Sequence, residues 1–197
     1  MKISLITATY NSADTLPDTL HCIQEQDHPD IEHIIIDGGS KDETLKIAEG
    51  FPHIAKIISE KDRGIYDAMN KGIAAATGEV IGILNSDDVY AHPGVISAVA
   101  KVFEDPAVQC SYADLQFVQR DDLYKVIRTW NAGEYNKKSF YYGWMPPHPT
   151  FFVRRKVYDK TGLFNLEMGS AADYELMLRI LLKHEIPAVY IKQVITK

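Results

Sequence analysis

The residues best suited to chemistry are Asn85-Ser86-Asp87-Asp88, which end the apolar run Val80-Ile81-Gly82-Ile83-Leu84. A run of that length suits a buried strand, and its polar residues then fall at the carboxyl edge, where open α/β sheets bind ligands. Two adjacent carboxylates repel each other. Asp87 and Asp88 are therefore most comfortable beside a cation, and oxygen donors of this kind suit Mg2+ or Mn2+. A solvated acidic turn would use the same residues, so the rest of the chain has to decide.

Two more segments have the same form. Thr7-Ala8-Thr9-Tyr10-Asn11 closes a strand that begins at Lys2, and Asp37-Gly38-Gly39-Ser40 closes one that begins at Ile31. The three strand ends predict a polar cleft able to hold a sugar nucleotide. Asp37 would accept from base or ribose donors, and Asp87 would hold a cation on the diphosphate. Neither Gly-x-Gly-x-x-Gly in the first turn nor Gly-x-x-x-x-Gly-Lys-Ser/Thr anywhere is present, so the usual phosphate loops are excluded.

Further along, Met145-Pro146-Pro147-His148-Pro149 follows Trp144. Here an imidazole could hydrogen-bond a sugar while aromatic faces pack on it, or His148 could be a loop residue without a role. His21, His28, His33, His53, His92 and His184 show no mutual metal spacing and are assigned nothing.

The elements that must position these groups follow from periodicity. Lys2–Thr9, Ile31–Asp37, Ala55–Ser59 and Val80–Leu84 read as strands. Between them lie helices over Ala13–Gln26, from Ser40 to Gly50 with a Ser40/Glu43 capping box, and over Ile65–Ala76. This alternation predicts a mainly parallel sheet with right-handed crossovers. After Tyr90 the pattern changes to a helix over Pro93–Phe103 and a hairpin, Cys110–Gln119 with Leu123–Trp130. Asn131–Pro149 has no period and reads as a long loop. A strand over 150–153, a short helix Arg155–Thr161, a helix Ser170–Lys183 and a strand Pro187–Ile191 complete the chain, with no terminal element expected.

The chain has 197 residues, enough for one substantial core. A net charge of −6 argues against a nucleic-acid surface, which needs clustered Lys and Arg. Two distant cysteines, Cys22 and Cys110, indicate neither a disulfide framework nor a zinc site. With no signal peptide and no apolar run of about 20 residues, a cytoplasmic protein is the default.

Five blocks in order carry a resemblance: Leu5-Ile6-Thr7-Ala8-Thr9-Tyr10-Asn11; Ile34-Ile35-Ile36-Asp37-Gly38-Gly39-Ser40-Lys41-Asp42; Asp62-Arg63-Gly64-Ile65-Tyr66-Asp67-Ala68-Met69-Asn70-Lys71-Gly72; Leu84-Asn85-Ser86-Asp87-Asp88; and Ala172-Asp173-Tyr174-Glu175-Leu176. Over residues 1 to about 183 the chain resembles a family 2 glycosyltransferase of the GT-A fold.

The resemblance implies a single domain over 1–197, with a nucleotide-binding half at 1–90 and an acceptor-side half at 91–197. Its mainly parallel sheet would end in a smaller mixed or antiparallel part. It implies transfer of a sugar from a nucleotide donor to an acceptor hydroxyl with inversion, in polysaccharide or glycan assembly. Thr7, Thr9, Asn11, Asp37, Arg63 and Asn70 would bind the donor. Asp87 matches the metal carboxylate of the Asp-x-Asp motif, with Mg2+ or Mn2+ as cofactor. Asn85 departs from the motif's first position, so the neighbouring ribose or metal-supporting role falls to Asn85 or Asp88, beside Ser86. Asp173 matches the catalytic base; as part of Ser170-x-x-Asp173 it would also stabilise its helix start. His148 and Trp144 are acceptor-side candidates. A glycan or lipid-linked acceptor, possible docking at the inner membrane face and a missing C-terminal region are further expectations, because family 2 chains are usually longer. The alternatives are a sugar nucleotidyltransferase and a nucleotide-sugar-binding module without turnover.

Overall fold

The computed structural model describes residues 1–197. Four strands, β1 (Ile3–Thr9), β2 (Ile31–Asp37), β3 (Ile54–Ser59) and β4 (Val80–Ile83), pair in parallel in the order β3-β2-β1-β4. Every residue of β1 and β4 is buried, and so are Ile34, Ile35 and Ile36 of β2. Such unbroken apolar runs are what strands covered on both faces require. The sheet continues through β7 (Phe152–Arg154), antiparallel to β4, to β5 (Cys110–Gln119), which pairs antiparallel with β6 (Asp122–Trp130). Then β8 (Ala188–Thr196) lies parallel to β5. The expected α/β architecture, mainly parallel with an antiparallel part, is the one found.

Successive side chains of β1 point to opposite faces and enter two cores. Ile6 packs beneath α3 (Ile65–Ala75) and α6 (Ala172–Leu178), through residues such as Met69, Ile73, Leu176 and Met177. Ile3 and Leu5 pack with Ile23 of α1 (Leu16–Gln24) and Val95, Ile96 and Val99 of α4 (Val95–Val102). The remaining helices are α2 (Thr44–Glu49) and α5 (Arg155–Thr161). Gly82 is required where β4 passes under Phe152, because a Cβ there would overlap the ring. No helix is long and apolar enough to cross a membrane.

Four expectations change. The Ser40/Glu43 capping box does not form, and α2 starts at Thr44 without a side-chain cap. Ser40 instead hydrogen-bonds Asp37 and accepts from the Asn11 amide. The Asn131–Pro149 segment is packed rather than loose: a 3-10 turn over Lys137–Tyr142 buries Phe140, whose ring meets Trp144 edge-on at 5.3 Å. The helix expected over Ser170–Lys183 is α6 between a 3-10 segment, Leu166–Ala171, and a π-helical turn, Arg179–Lys183. Finally, the last strand runs on to Thr196, and Lys197 exchanges two backbone hydrogen bonds of 2.8 Å with Val89.

Candidate functional site

The Asp87 corner is held from several sides. The turn after β4 closes with the Asp88 amide donating to the Asn85 carbonyl at 3.1 Å, and Thr19 Oγ1 of α1 donates to the Asp88 carbonyl at 2.8 Å. Ser86 Oγ donates to Ser12 Oγ, and the Val89–Lys197 pair braces the far side. Asp87 stays exposed, whereas Asp88 is half-buried and accepts from Asn85 Nδ2 at 2.8 Å. Burial first, and then the Asp87 charge, raise the Asp88 carboxyl to about 7, against the lowering effect of the Asn85 bond. Asn85 Oδ1 is buried with no partner.

A repelling carboxylate pair with an orphaned acceptor fits a divalent cation, and all the donors are hard oxygens. The chain assembles no group of three or more His, Cys, Asp or Glu side chains around one point. Any ion here would therefore take few protein ligands and complete its shell with other oxygens, as Mg2+ and Mn2+ commonly do.

Around this corner the expected donor residues divide. Thr7 is fully buried with Oγ1 3.1 Å from His33 Nε2, and Asn70 clasps the Phe164 backbone with both its amide nitrogen and oxygen at 2.9 Å. Their polar side-chain atoms are engaged by partners inside the fold rather than left free toward the cavity. Asp37 is also fully buried: it accepts from the Gly39 and Ser40 amides and from Ser59 Oγ at 2.7 Å, so its carboxylate shapes its own loop. Asn11, at φ 49°, ties that loop to β1 by accepting from the Lys41 amide at 2.8 Å. Thr9 Oγ1 is buried and unpartnered. Arg63 lies on the surface against Asp67 at 3.3 Å.

A cavity of about 650 Å³ joins the remaining groups: Asn85, Asp87 and Asp88 line it together with Asp173 and His148. Asp173 sits in the first turn of α6, where negative charge is favoured by the helix dipole, and its Oδ1 accepts from the Tyr174 amide at 2.7 Å. Ser170 provides no cap, so the near capping box is not formed. His148 is half-buried with its ring edge-on to Phe164 at 5.7 Å; burial lowers its pKa, and the Asp173 charge opposes that shift. Trp144 does not line the cavity. Its indole donates to the Ala132 carbonyl at 2.7 Å and stacks on Tyr135, so its role is to anchor the segment.

The Glycosyl transferase family 2 model matches residues 4–162. The chain belongs to this family. It is 34% identical over 180 residues to an uncharacterized glycosyltransferase of Mycobacterium tuberculosis, covering 90% of this chain and 68% of that protein. A PGL/p-HBAD biosynthesis glycosyltransferase of the same organism is 32% identical over 181 residues, 89% of this chain and 68% of the relative. The fold matches S. aureus TarS residues 1–349 in complex with UDP, with a TM-score of 0.77 at 20% identity, over 100% of this chain and 60% of that one. It also matches a mannosyltransferase from Pyrobaculum calidifontis in complex with GDP-Man and Mn2+, with a TM-score of 0.75 at 24% identity, over 98% and 55%. This chain thus spans little more than half the length of these solved structures, and the likeness establishes the GT-A fold.

In this family 2 chain, sequence reasoning assigned no role to Tyr66, a polar side chain at the cavity beside Asp173. Tyr66 lines it with its hydroxyl 3.4 Å from the Ser170 carbonyl, and burial together with the adjacent Asp173 charge raises its pKa. The ring is seated by Phe164 at 5.3 Å. Tyr66 lies inside a recognised block, but its meeting with a helix more than 100 residues later is a tertiary fact that periodicity does not carry.

Proposed function

We propose that this chain is the catalytic part of a metal-dependent, inverting glycosyltransferase that moves a sugar from a nucleoside diphosphate to an acceptor hydroxyl in glycan assembly. The observation that supports it best is the single cavity lined by both Asp87 and Asp173. Asp87, with Asn85 or Asp88, would hold Mg2+ or Mn2+. That ion supplies positive charge against the leaving diphosphate. Asp173 takes the proton of the acceptor hydroxyl as its oxygen bonds the anomeric carbon, while the bond to the diphosphate breaks on the opposite face. Tyr66 and His148 flank the carboxylate and orient the acceptor. The family relationship gives no support to the nucleotidyltransferase alternative. Residues 1–90 serve the donor and 91–197 the acceptor within one domain, working on the cytoplasmic side and docking at the membrane face if the acceptor is lipid-linked.

The first test is thermal stability with UDP or GDP and Mn2+. The melting temperature rises in the wild type, and Asp87→Ala removes the metal-dependent part. No shift with any nucleoside diphosphate ends the donor-site reading.

A further inference from the structure

The cavity's two walls differ in character. One carries Asp14, Asp18, Asp87, Asp88 and Asp173. Arg120 and Lys197 are the only lysine or arginine residues that line it, and Arg120 reaches across the mouth to Asp14 at 3.6 Å. The other wall is the β5–β6 hairpin, which presents Leu115, Phe117, Leu123 and Trp130. An anionic acceptor group would meet the first wall's repulsion, whereas an apolar one gains by covering the second.

The hairpin side of the cavity continues past Leu123. A second cavity of about 360 Å³ shares Asp18, Val89, Leu123 and Lys197 with the first, so a groove crosses Leu123; its hairpin side is Leu123 and Tyr124, and its opposite side carries His21, Glu25, Gln26 and His92. Tyr124, which lines this second cavity, is 90% exposed, and Ile127 farther along β6 is 68% exposed. This is a sheet edge, where natural proteins usually place charges, and large exposed apolar groups there mark a binding surface.

We propose that this groove seats an apolar aglycone, alkyl or aryl, of the acceptor, whose free hydroxyl lies at Asp173. The inference rests on the transferase reading, because it is Asp173 that gives the groove its reactive end. Continuity with that cavity selects the acceptor as occupant. Phe117 is fixed for the contact by the Arg128 guanidinium, 4.2 Å from its ring centre.

The test is calorimetric titration of the protein, with UDP or GDP and Mn2+ present, against methyl, phenyl and hexyl β-glucosides and α-mannosides. Hexyl or phenyl glycosides bind roughly tenfold more tightly than the methyl compounds, the gain expected for burying a few carbons. Leu123→Ser and Tyr124→Ser each remove most of that ratio; Tyr124 is too exposed for its loss to unfold the chain. A preference for hexyl alone identifies a lipid-like arm, and one for phenyl alone an aromatic arm; either supports the inference. Methyl and hexyl glycosides of equal affinity, or no binding of hexyl glycosides, overturn it. If the nucleotide-induced rise in melting temperature persists in that case, the donor reading survives; if that rise is absent as well, the reading beneath the inference has failed.

Discussion

His33 lies fully buried on β2 with Nδ1 3.1 Å from His53 Nε2, and burial followed by the His53 charge pushes its imidazole from 6.5 down to about 3. The unfolded chain binds this proton near pH 6.5 and the folded one only near 3, so the stability that neutral His33 contributes is complete above pH 6.5 and lost as pH falls. Urea midpoints are therefore lower at pH 4.5 than at pH 7.5, and His33→Leu flattens that difference. Asp88 has the opposite sign. Its carboxyl is raised from 3.8 to about 7, so stability is greatest when it is protonated and declines as pH climbs between those values. Without divalent ions, Asp88→Asn should melt above the wild type at pH 8, with the gap closing by pH 4; an unchanged gap would mean the pair is not strained. That Asp87 and Asp88 follow a buried strand and that Asp173 opens a helix could be read from the sequence, because each flanks a clear apolar pattern; that they share a cavity could not. The inward bonds of Thr7, Asp37 and Asn70 could not be read either, because a polar side chain beside a sheet edge can turn inward as readily as outward.

The parallel half was legible element by element, since fully buried strands leave continuous apolar runs such as Ile34-Ile35-Ile36. Asn131–Pro149 was not, because its order comes from aromatic rings meeting across the chain, a pattern without a period: Tyr135, Phe140 and Trp144 pack on one another, and Tyr174 Oη donates to the Phe140 carbonyl at 3.0 Å. That packing ties the segment to α6 beside Asp173. Phe140→Ala should cost about 3–5 kcal/mol in urea unfolding, whereas Tyr142→Ala, at a position 90% exposed, should change stability by about 0.5 kcal/mol or less. Gly82→Ala forces Phe152 to move and should cost about 1–3 kcal/mol by overpacking. Equal stability of Phe140→Ala and wild type would show that the segment is held by something else.

Across the whole molecule, one sheet positions the Asp87 corner and the apolar wall, and α6 brings Asp173 to the same cavity. β4 delivers Asp87 at its carboxyl edge, β5 and β6 supply the apolar wall, and β8 returns Lys197 to brace Val89 beside Asp88. Neither the hairpin's part in the cavity nor the closing role of β8 could be read from the sequence, because both depend on how distant strands pair. In the proposed reaction the two carboxylates that share that cavity divide the labour. Asp173→Asn tests it most directly, by following labelled sugar from nucleotide to acceptor alongside nucleotide binding with Mn2+. Transfer should fall by about 10²-fold or more with binding unchanged; transfer at the wild-type rate, or donor binding lost together with transfer, would contradict the role of Asp173 as base.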